Sequence, residues 1–346
     1  MTMRGEMPRV RRVCVLAWGG AAVSWELSSP GALVPSLATC AAFLMLAGGS
    51  VLHMRQRLLA ELRRARQNAG AARQALLRPL PPRVGGLALA AVHGAEAGGD
   101  LYDALPTPYG VRVVMGDVRG HGIPALGAAT AVLGAFREAA HEEPSLAGVL
   151  RRMELALACH LRDRAALEHL MGGTGPDSPP AEEFVTVLLL EIGRDGTLTA
   201  LNCGHPWPYR LPPVSAVHSL APTPWEDTAE PGDARPARDP GPPELPAEPE
   251  RLDCGETLPP LGVWPLPDEL AARDCGELRR GEGLFLHTDG AAEARDPDGR
   301  YFPLGGAIAE AAAATPARLV EGVHDALLRH TGGHLDDDVA LLVLRR

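Results

Sequence analysis

Six short aliphatic segments, most of them bounded by glycine or aspartate, constrain the fold of this chain more than any other feature. They are Leu87–Val92, Val111–Val118, Phe184–Ile192, Leu198–Cys203, Gly283–His287 and Val339–Leu344. Their length and composition predict β-strands. Helical patterns cover Pro124–His141 and Ser145–Arg164, and a last helix is expected to begin at Pro316 after Thr315 as N-cap. Strands at both ends with paired helices between them predict an α+β sandwich rather than a doubly wound sheet.

Aspartates stand in turns at the ends of these segments. Asp100 lies in GGD, Asp117 closes VRVVMGD, Asp289 lies in HTDG, and Asp336 to Asp338 open the last strand. Any one of them is an ordinary turn residue when taken alone. If the strand ends meet at one side of a sandwich, the carboxylates form a cluster that repels itself unless cations are present. A ligand set made only of oxygens favours Mg²⁺ or Mn²⁺.

The composition excludes several classes of protein. The chain has 346 residues, 46% of them hydrophobic, which is enough for a substantial core. It contains no lysine, and this excludes a GxxxxGK[ST] phosphate loop, a Schiff-base enzyme and a protein kinase. Its net charge of -10 argues against nucleic acid as a partner. The six cysteines form no CxxC pair and no regular spacing, so we expect reduced thiols rather than a disulfide framework or a zinc site.

Residues 1–54 are predicted to form a membrane anchor. The uncharged segment Ala32–Leu52 is long enough to span a bilayer, which takes about 20 apolar residues, and a shorter uncharged segment covers Val13–Trp25. Arginines precede the first and follow the second, so the positive-inside rule places both ends in the cytoplasm. This arrangement predicts a hairpin of two spans joined near Glu26–Pro30. A single span behind a signal-like leader is the alternative.

Two further segments separate the anchor from the folded body or interrupt it. In residues 55–80 apolar positions recur at steps of four and three, which predicts a helix that is either a solvated linker or a dimer stalk. These positions are Leu58, Leu62, Ala65, Ala69, Ala72 and Leu76. The stretch 211–250 is rich in proline, alanine and acidic residues without any period, and is predicted to be a disordered insertion in a domain that spans 81–346.

Six stretches of the chain resemble, in order, the motifs of one known family. They are LLRPLPPRVGGLALAAVHGAEAGGDLYDA, MGDVRGHGIPAL, FVTVLLLEIGRDGTLTALNCGHPWPYRL, LPPLGVW, GEGLFLHTDGAAEARDPDGRYF and DDDVALLVLRR. They are similar to bacterial PPM/PP2C-type serine/threonine phosphatases, and most of all to the SpoIIE/RsbU-like branch. The resemblance covers residues 76–346, apart from the proline-rich stretch.

This resemblance implies a PP2C-like α-β-β-α architecture, in which a central sandwich of two antiparallel β-sheets is flanked by helices and carries two Mg²⁺ or Mn²⁺ ions at one edge. Asp100 and Asp117 would hold metal, with Asp117 bridging both ions. The backbone carbonyl of Val118 would be a further ligand. Asp289 would bind one ion, and the register of the last motif makes Asp337 the final ligand.

Other positions of the motifs are assigned less directly. Asp336 would be an extra acid and Asp338 would lie behind the ligands, while Ala340 departs from the threonine that is usual in the family. His121 in GHG is a candidate donor of a proton to the leaving alkoxide, or else a histidine bonded to backbone at a helix entry. His205 in NCGHP is expected to serve a structural turn.

The function that follows from the resemblance is hydrolysis of phosphoserine or phosphothreonine through a metal-bridged water. The enzyme would be anchored in a bacterial plasma membrane with its catalytic domain in the cytoplasm. Its partner would be a phosphorylated protein, such as an anti-sigma-factor antagonist, and residues 55–80 could join two copies as a homodimer. The alternative is a catalytically silent PPM-like domain that binds a partner without turning it over.

Overall fold

The computed structural model describes residues 45, 48–59, 78–94, 99–120, 122–170, 183–213, 249–312, 314–335 and 337–346. The chain divides into two compact units, Met1–Ala65 and Arg66–Arg346. In the first unit, the described residues 48–59 are helical and exposed.

Most of the predicted anchor and linker lies outside the described residues. This holds for the whole segment 13–25, for most of the segment 32–52, for the linker residues 60–77 and for the insertion from 214 to 248. Within the part of the chain that the structure describes, no helix is both long enough and apolar enough to cross a membrane.

The second unit is an α+β sandwich. Its strands are β1 Arg83–Val84, β2 Leu87–His93, β3 Leu101–Thr107, β4 Gly110–Val118, β5 Val185–Ile192, β6 Thr197–Cys203, β7 Tyr209–Leu211, β8 Glu250–Arg251, β9 Arg273–Glu277, β10 Gly283–His287 and β11 Ala340–Arg345. Its helices are α1 Ile123–Glu142, α2 Leu146–Leu170, α3 Asp289–Glu293, α4 Leu304–Ala311 and α5 Pro316–His330. The six predicted strands are confirmed to within one residue at each end.

The strands form two antiparallel sheets. One has the order β1-β2-β11-β10-β7-β8 and the other the order β3-β4-β5-β6-β9. Helices α1 and α2 pack on the five-stranded sheet, and α5, with α4 against it, packs on the six-stranded sheet. The four layers therefore run helix, sheet, sheet, helix, as the sequence analysis predicted. The larger hydrophobic core joins the two sheets and reaches under α1 and α2, and the smaller core lies under α4 and α5.

Strand β4 runs through the centre of the larger core, and its residues Gly110 to Gly116 are all buried. It pairs with β3 on one side and β5 on the other, in a register that places Asp117 opposite Thr186 and Val111 opposite Ile192. The strand thus spans the sandwich from end to end.

A buried arginine ties this strand to the turn between α1 and α2. Arg112 is fully buried, and its guanidinium donates to the carbonyls of Ala140 at 3.0 Å, Glu143 at 2.6 Å and Pro144 at 3.0 Å. It also donates to the Glu191 carboxylate at 2.6 Å. These bonds hold the carboxyl end of α1 against the sheet.

The expectation of reduced thiols is wrong for one pair of cysteines. Cys254 and Cys275 form a disulfide with their Cα atoms 5.3 Å apart. The residues are 21 positions apart and come together only because the chain returns from β8 to the edge strand β9, which spacing alone does not reveal. Cys203 is a buried free thiol, and burial raises its pKa to about 12.

Candidate active site

The predicted aspartates come together at one corner of the sandwich. Asp100 precedes β3, Asp117 lies near the end of β4, and Asp289 begins α3 directly after β10. Asp337 and Asp338 lie just before β11, which pairs with β10. Asp289, Asp337 and Asp338 all act electrostatically on Asp117, and the buried Asp100 carboxylate also lowers its pKa from close by. Five carboxylates from distant parts of the chain therefore share one site.

Two glycines allow the backbones to approach closely enough for this. A Cβ atom at Gly99 would lie 2.5 Å from the Val118 carbonyl oxygen and 2.8 Å from the Val118 Cβ. A Cβ atom at Gly290 would collide with the carbonyl oxygen of Asp338. Any larger residue at these positions would push Asp100 away from β4, or Asp289 away from the start of β11.

Among the residues that the structure describes, no positive charge lowers the pKa of Asp117 or Asp289. The pKa of Asp117 is raised to about 7, first by burial and then by the negative charges of Asp289, Asp337 and Asp338. The pKa of Asp289 is also raised, by burial and by Asp337. Neither pKa is lowered by an arginine or a histidine among the described residues. The acids are thus held in a place where ionisation is costly.

A divalent cation fits this donor set, since it would supply the missing positive charge and accept carboxylate oxygens as ligands. The described residues include no group of three acidic, histidine or cysteine side chains already arranged to hold an ion. The fit therefore rests on the chemistry and charge of the cluster.

Replacing Asp117 with asparagine is expected to stabilise the metal-free protein. With a pKa of about 7, Asp117 binds its proton more tightly in the folded state than in the unfolded chain. Its contribution to the free energy of unfolding is present at low pH and is lost as the pH rises towards 7. In EDTA we expect Asp117→Asn to raise the Tm by roughly 5–10 °C at pH 7.5, and by less at pH 5.

Comparing the Tm of the wild type with that of Asp117→Asn isolates the effect of Asp117 on stability. His205 and His287 are buried with pKa values lowered to about 3 and about 4, and they give the opposite slope with pH in both proteins. Thermal unfolding followed by circular dichroism measures the difference. The expectation would be contradicted if the difference in Tm between Asp117→Asn and the wild type were the same at pH 5 and at pH 7.5.

Behind Asp117 lies a pair of polar side chains that hold its backbone. The Asp117 N–H donates to Thr186 Oγ1 at 3.2 Å, and the same oxygen lies 3.0 Å from His205 Nδ1. Asn202 fixes His205 through two hydrogen bonds of 2.8 Å to its backbone N–H and carbonyl. Burial lowers the pKa of His205, so the imidazole is neutral. The turn expected for His205 is present, and its ring also supports the Asp117 backbone through Thr186.

The substitution Thr186→Val is expected to weaken Mn²⁺ binding about tenfold, because it removes this support while keeping the shape of the side chain. Thr186→Ser keeps the hydroxyl and should bind Mn²⁺ as the wild type does. Thr199→Val, the same change in the adjacent strand β6, is the matched control. Electron paramagnetic resonance of free Mn²⁺ measures the affinities, and equal affinity in Thr186→Val and Thr199→Val would contradict the role of Thr186.

Other sequence-based assignments are placed only in part. His121 and Asp336 lie outside the described residues. Asp338 accompanies Asp337, and its N–H donates to the Asp337 carboxylate at 2.8 Å. Ala340, where the family usually has threonine, is held through its N–H by the Thr288 hydroxyl at 2.9 Å. Sequence reasoning missed Thr186, whose only signal was that it is one of two polar residues in an aliphatic strand.

Two of the solved structures to which this chain is similar come from Mycobacterium tuberculosis and Pseudomonas aeruginosa. The RsbU and RsbW domains of a Mycobacterium tuberculosis protein match with a TM-score of 0.52 and 22% identity, over 79% of this chain and 63% of that one. The SiaA-PP2C domain of Pseudomonas aeruginosa matches with a TM-score of 0.50 and 15% identity, over 75% of this chain and 85% of that one. This chain thus spans less than two thirds of the Mycobacterium chain. No curated protein matches it.

The four-layer sandwich has the fold of PP2C-type domains. The Stage II sporulation protein E (SpoIIE) family profile matches residues 107–224 and 245–346, which is more than half of the chain. The chain belongs to the SpoIIE family.

Proposed function

We propose that this protein is a serine/threonine protein phosphatase that depends on two divalent cations, Mg²⁺ or Mn²⁺, bound at the carboxylate corner. The observation that carries the proposal is Asp117, which is surrounded by Asp289, Asp337 and Asp338 and has a pKa raised to about 7. An acid in this environment is ionised at neutral pH at a cost that a cation removes.

The residues proposed to hold the ions are those that the corner brings together. Asp117 and the Val118 carbonyl lie at the end of β4, Asp100 lies beside them, and Asp289 and Asp337 approach from the other sheet. When bound, two such ions supply a nucleophilic water and neutralise phosphate oxygens during in-line displacement. Holding these five donors at fixed strand ends is the contribution of the fold.

The substrate we propose is phosphoserine or phosphothreonine in a protein. Arg119 is exposed, follows the site by two residues and stacks on the Phe184 ring at 5.1 Å, so it is placed to contact a phosphoprotein at the rim. His121 is the proposed donor of a proton to the leaving alkoxide. The SpoIIE/RsbU-like resemblance favours a phosphorylated anti-sigma-factor antagonist as the protein and sigma-factor regulation as its setting.

Attachment to the bacterial plasma membrane, with the phosphatase domain in the cytoplasm, is also proposed. The uncharged segments 13–25 and 32–52 and the arginines that flank them support it. The Cys254–Cys275 disulfide weighs against a cytoplasmic location, because disulfides are rare there. A reporter fused within Glu26–Pro30 decides: an extracytoplasmic signal supports the hairpin, and a cytoplasmic signal removes it. Homodimer formation through residues 55–80 is tested by cross-linking at Leu62.

Hydrolysis of a phosphoserine peptide by the full chain tests the central proposal. We expect activity with Mn²⁺ or Mg²⁺ and loss of activity with EDTA, restored by excess metal. Phosphate release measured with a colorimetric reagent is sufficient. Activity that does not respond to chelation would refute the metal dependence, and no activity with any phosphopeptide would favour the silent PPM-like domain.

A further inference from the structure

A cavity lies at the opposite end of the sandwich from the carboxylates. It encloses about 460 Å³, and Gly110 and Ile192 are among the residues that line it. Gly110 begins β4, whereas Asp117 lies near its end. At about 3.3 Å per residue, the cavity and the carboxylate corner are separated by roughly 20 Å along this strand. We call it the distal cleft.

The distal cleft is positively charged in an acidic protein. Three of its twelve lining residues are arginines, Arg194, Arg280 and Arg346, and none of the twelve is acidic. The net charge of the whole chain is -10. The cleft is therefore a local site of attraction for anions on a molecule whose net charge is negative.

One of the three guanidinium groups is held rigidly by the fold. Arg346 Nη1 donates to the Leu278 carbonyl at 2.7 Å, and its Nη2 donates to the Arg194 carbonyl at 3.2 Å. Its Nη1 also lies 3.8 Å from the largely exposed Glu277 carboxylate. Because an arginine has five N–H donors, Arg346 keeps donors for a ligand while its position is set.

Among the described residues, the side chains of the other two arginines have no partners like those of Arg346. Arg194 and Arg280 are exposed, and no ion pair with either side chain is found among the described residues. Their guanidinium groups can therefore turn towards an anion in the cleft without giving up an existing ion pair. Planar guanidinium groups suit phosphate oxygens, which they bind through paired hydrogen bonds.

The floor of the cleft is apolar. It includes Leu87, Pro106, Val111 and Ile192, and of these Leu87 and Ile192 are 3% and 2% exposed. A floor of this kind offers little to a bare inorganic ion and suits an organic group attached to the anion. The volume lies within the range of roughly 300–1,000 Å³ that is usual for small-molecule sites.

We propose that the distal cleft binds the phosphate ester of a small organic molecule. The ester is either a soluble metabolite or the headgroup of an anionic phospholipid, and both present the same phosphate to the arginines. The site is separate from the one where phosphoprotein would be hydrolysed. In the absence of metal the carboxylate corner repels phosphate, so ester binding in EDTA does not occur there, and the arginine substitutions test whether it occurs in the distal cleft.

The experiment uses the full chain in neutral detergent with EDTA. Isothermal titration calorimetry with glycerol 3-phosphate in the detergent is the soluble arm. Flotation with phosphatidylcholine vesicles, with or without 30% phosphatidylglycerol and after removal of the detergent, is the lipid arm. The test variant is the double substitution Arg194→Gln and Arg280→Gln. The matched control is Arg318→Gln with Arg329→Gln, which removes the same charge from exposed positions on α5.

We expect the test variant to lose at least about tenfold in affinity in one arm, while the control variant binds as the wild type does. A loss confined to glycerol 3-phosphate identifies a soluble ester, and a loss confined to phosphatidylglycerol vesicles identifies a lipid headgroup. Equal binding by the two double variants in both arms, or no binding by the wild type in either, would overturn the proposal. Because no step depends on hydrolysis, failure here is distinct from failure of the proposed phosphatase activity.

Discussion

Replacing Asp117 by asparagine is expected to lower the Mn²⁺-dependent kcat/KM for a phosphoserine peptide by at least about a thousandfold, since bound metal contributes several kcal/mol to the barrier. The negative charges of Asp289, Asp337 and Asp338 all act on the Asp117 carboxylate. An amide keeps its size but removes the negative charge that attracts the cations. Initial rates over a range of Mn²⁺ concentrations measure the effect.

Asp195→Asn is the matched control, because Asp195 is exposed and its carboxylate only holds a turn through Thr197. It should retain the wild-type rate. The expected stabilisation of metal-free Asp117→Asn separates loss of catalysis from loss of folding. If Asp117→Asn were folded, at least as stable as the wild type and still active, Asp117 could not be a metal ligand.

The largest loss of stability is expected from Arg112→Met, at about 3–5 kcal/mol in the free energy of unfolding. Arg112 is fully buried, and its removal leaves the Glu191 carboxylate and the carbonyls of Ala140, Glu143 and Pro144 without their donor. Methionine fills the space of the stem but donates no hydrogen bond. Urea unfolding followed by circular dichroism measures the change.

Arg152→Met provides the contrast on the neighbouring helix. Arg152 lies 3.3–3.7 Å from Glu138, Glu142 and Glu143, but its side chain is 39% exposed. We expect a change within about 1 kcal/mol. Adding Glu191→Leu to Arg112→Met should recover part of the lost stability, because it removes the uncompensated carboxylate. Equal losses in Arg112→Met and Arg152→Met would show that burial does not set the cost.

The central strands could be predicted from sequence because each is short, aliphatic and bounded by turn residues. Strand β3 was missed because its sequence LYDALPT contains an aspartate and a proline, which are depleted in strands. Its Asp103 is accommodated by an ion pair of 2.6 Å with Arg137 of α1 and by a hydrogen bond of 2.8 Å from the Ala104 N–H. The short strands β7, β8 and β9 have no pattern of their own and depend on the strands with which they pair.

The sequence predicted which residues form the carboxylate corner, but it did not predict that they come together. The turn setting identified Asp100, Asp117, Asp289 and the run Asp336–Asp338, and the family resemblance selected Asp337 from that run, but four unrelated turns do not reveal that they meet. Their meeting depends on the register of β4 with β3 and of β10 with β11. Thr186 could not be ranked from sequence, since a threonine in a strand is common and its bond to Asp117 arises only from the pairing of β4 with β5.

The grip of Arg112 on the turn after α1 has a consequence for how this part of the chain can evolve. Strand β4 and helix α1 are consecutive in sequence. The hydrogen bond from Arg112 to the Glu143 carbonyl links the start of the strand to the residue after the helix, 31 positions later, so the length of the segment between them is fixed. One residue inserted into α1 would rotate the rest of the helix by about 100° and move the carbonyls of Ala140, Glu143 and Pro144 out of reach of Arg112. The segment therefore accepts exchanges of residues but no change of length, whereas the chain between β7 and β8 can lengthen or shorten without affecting this link.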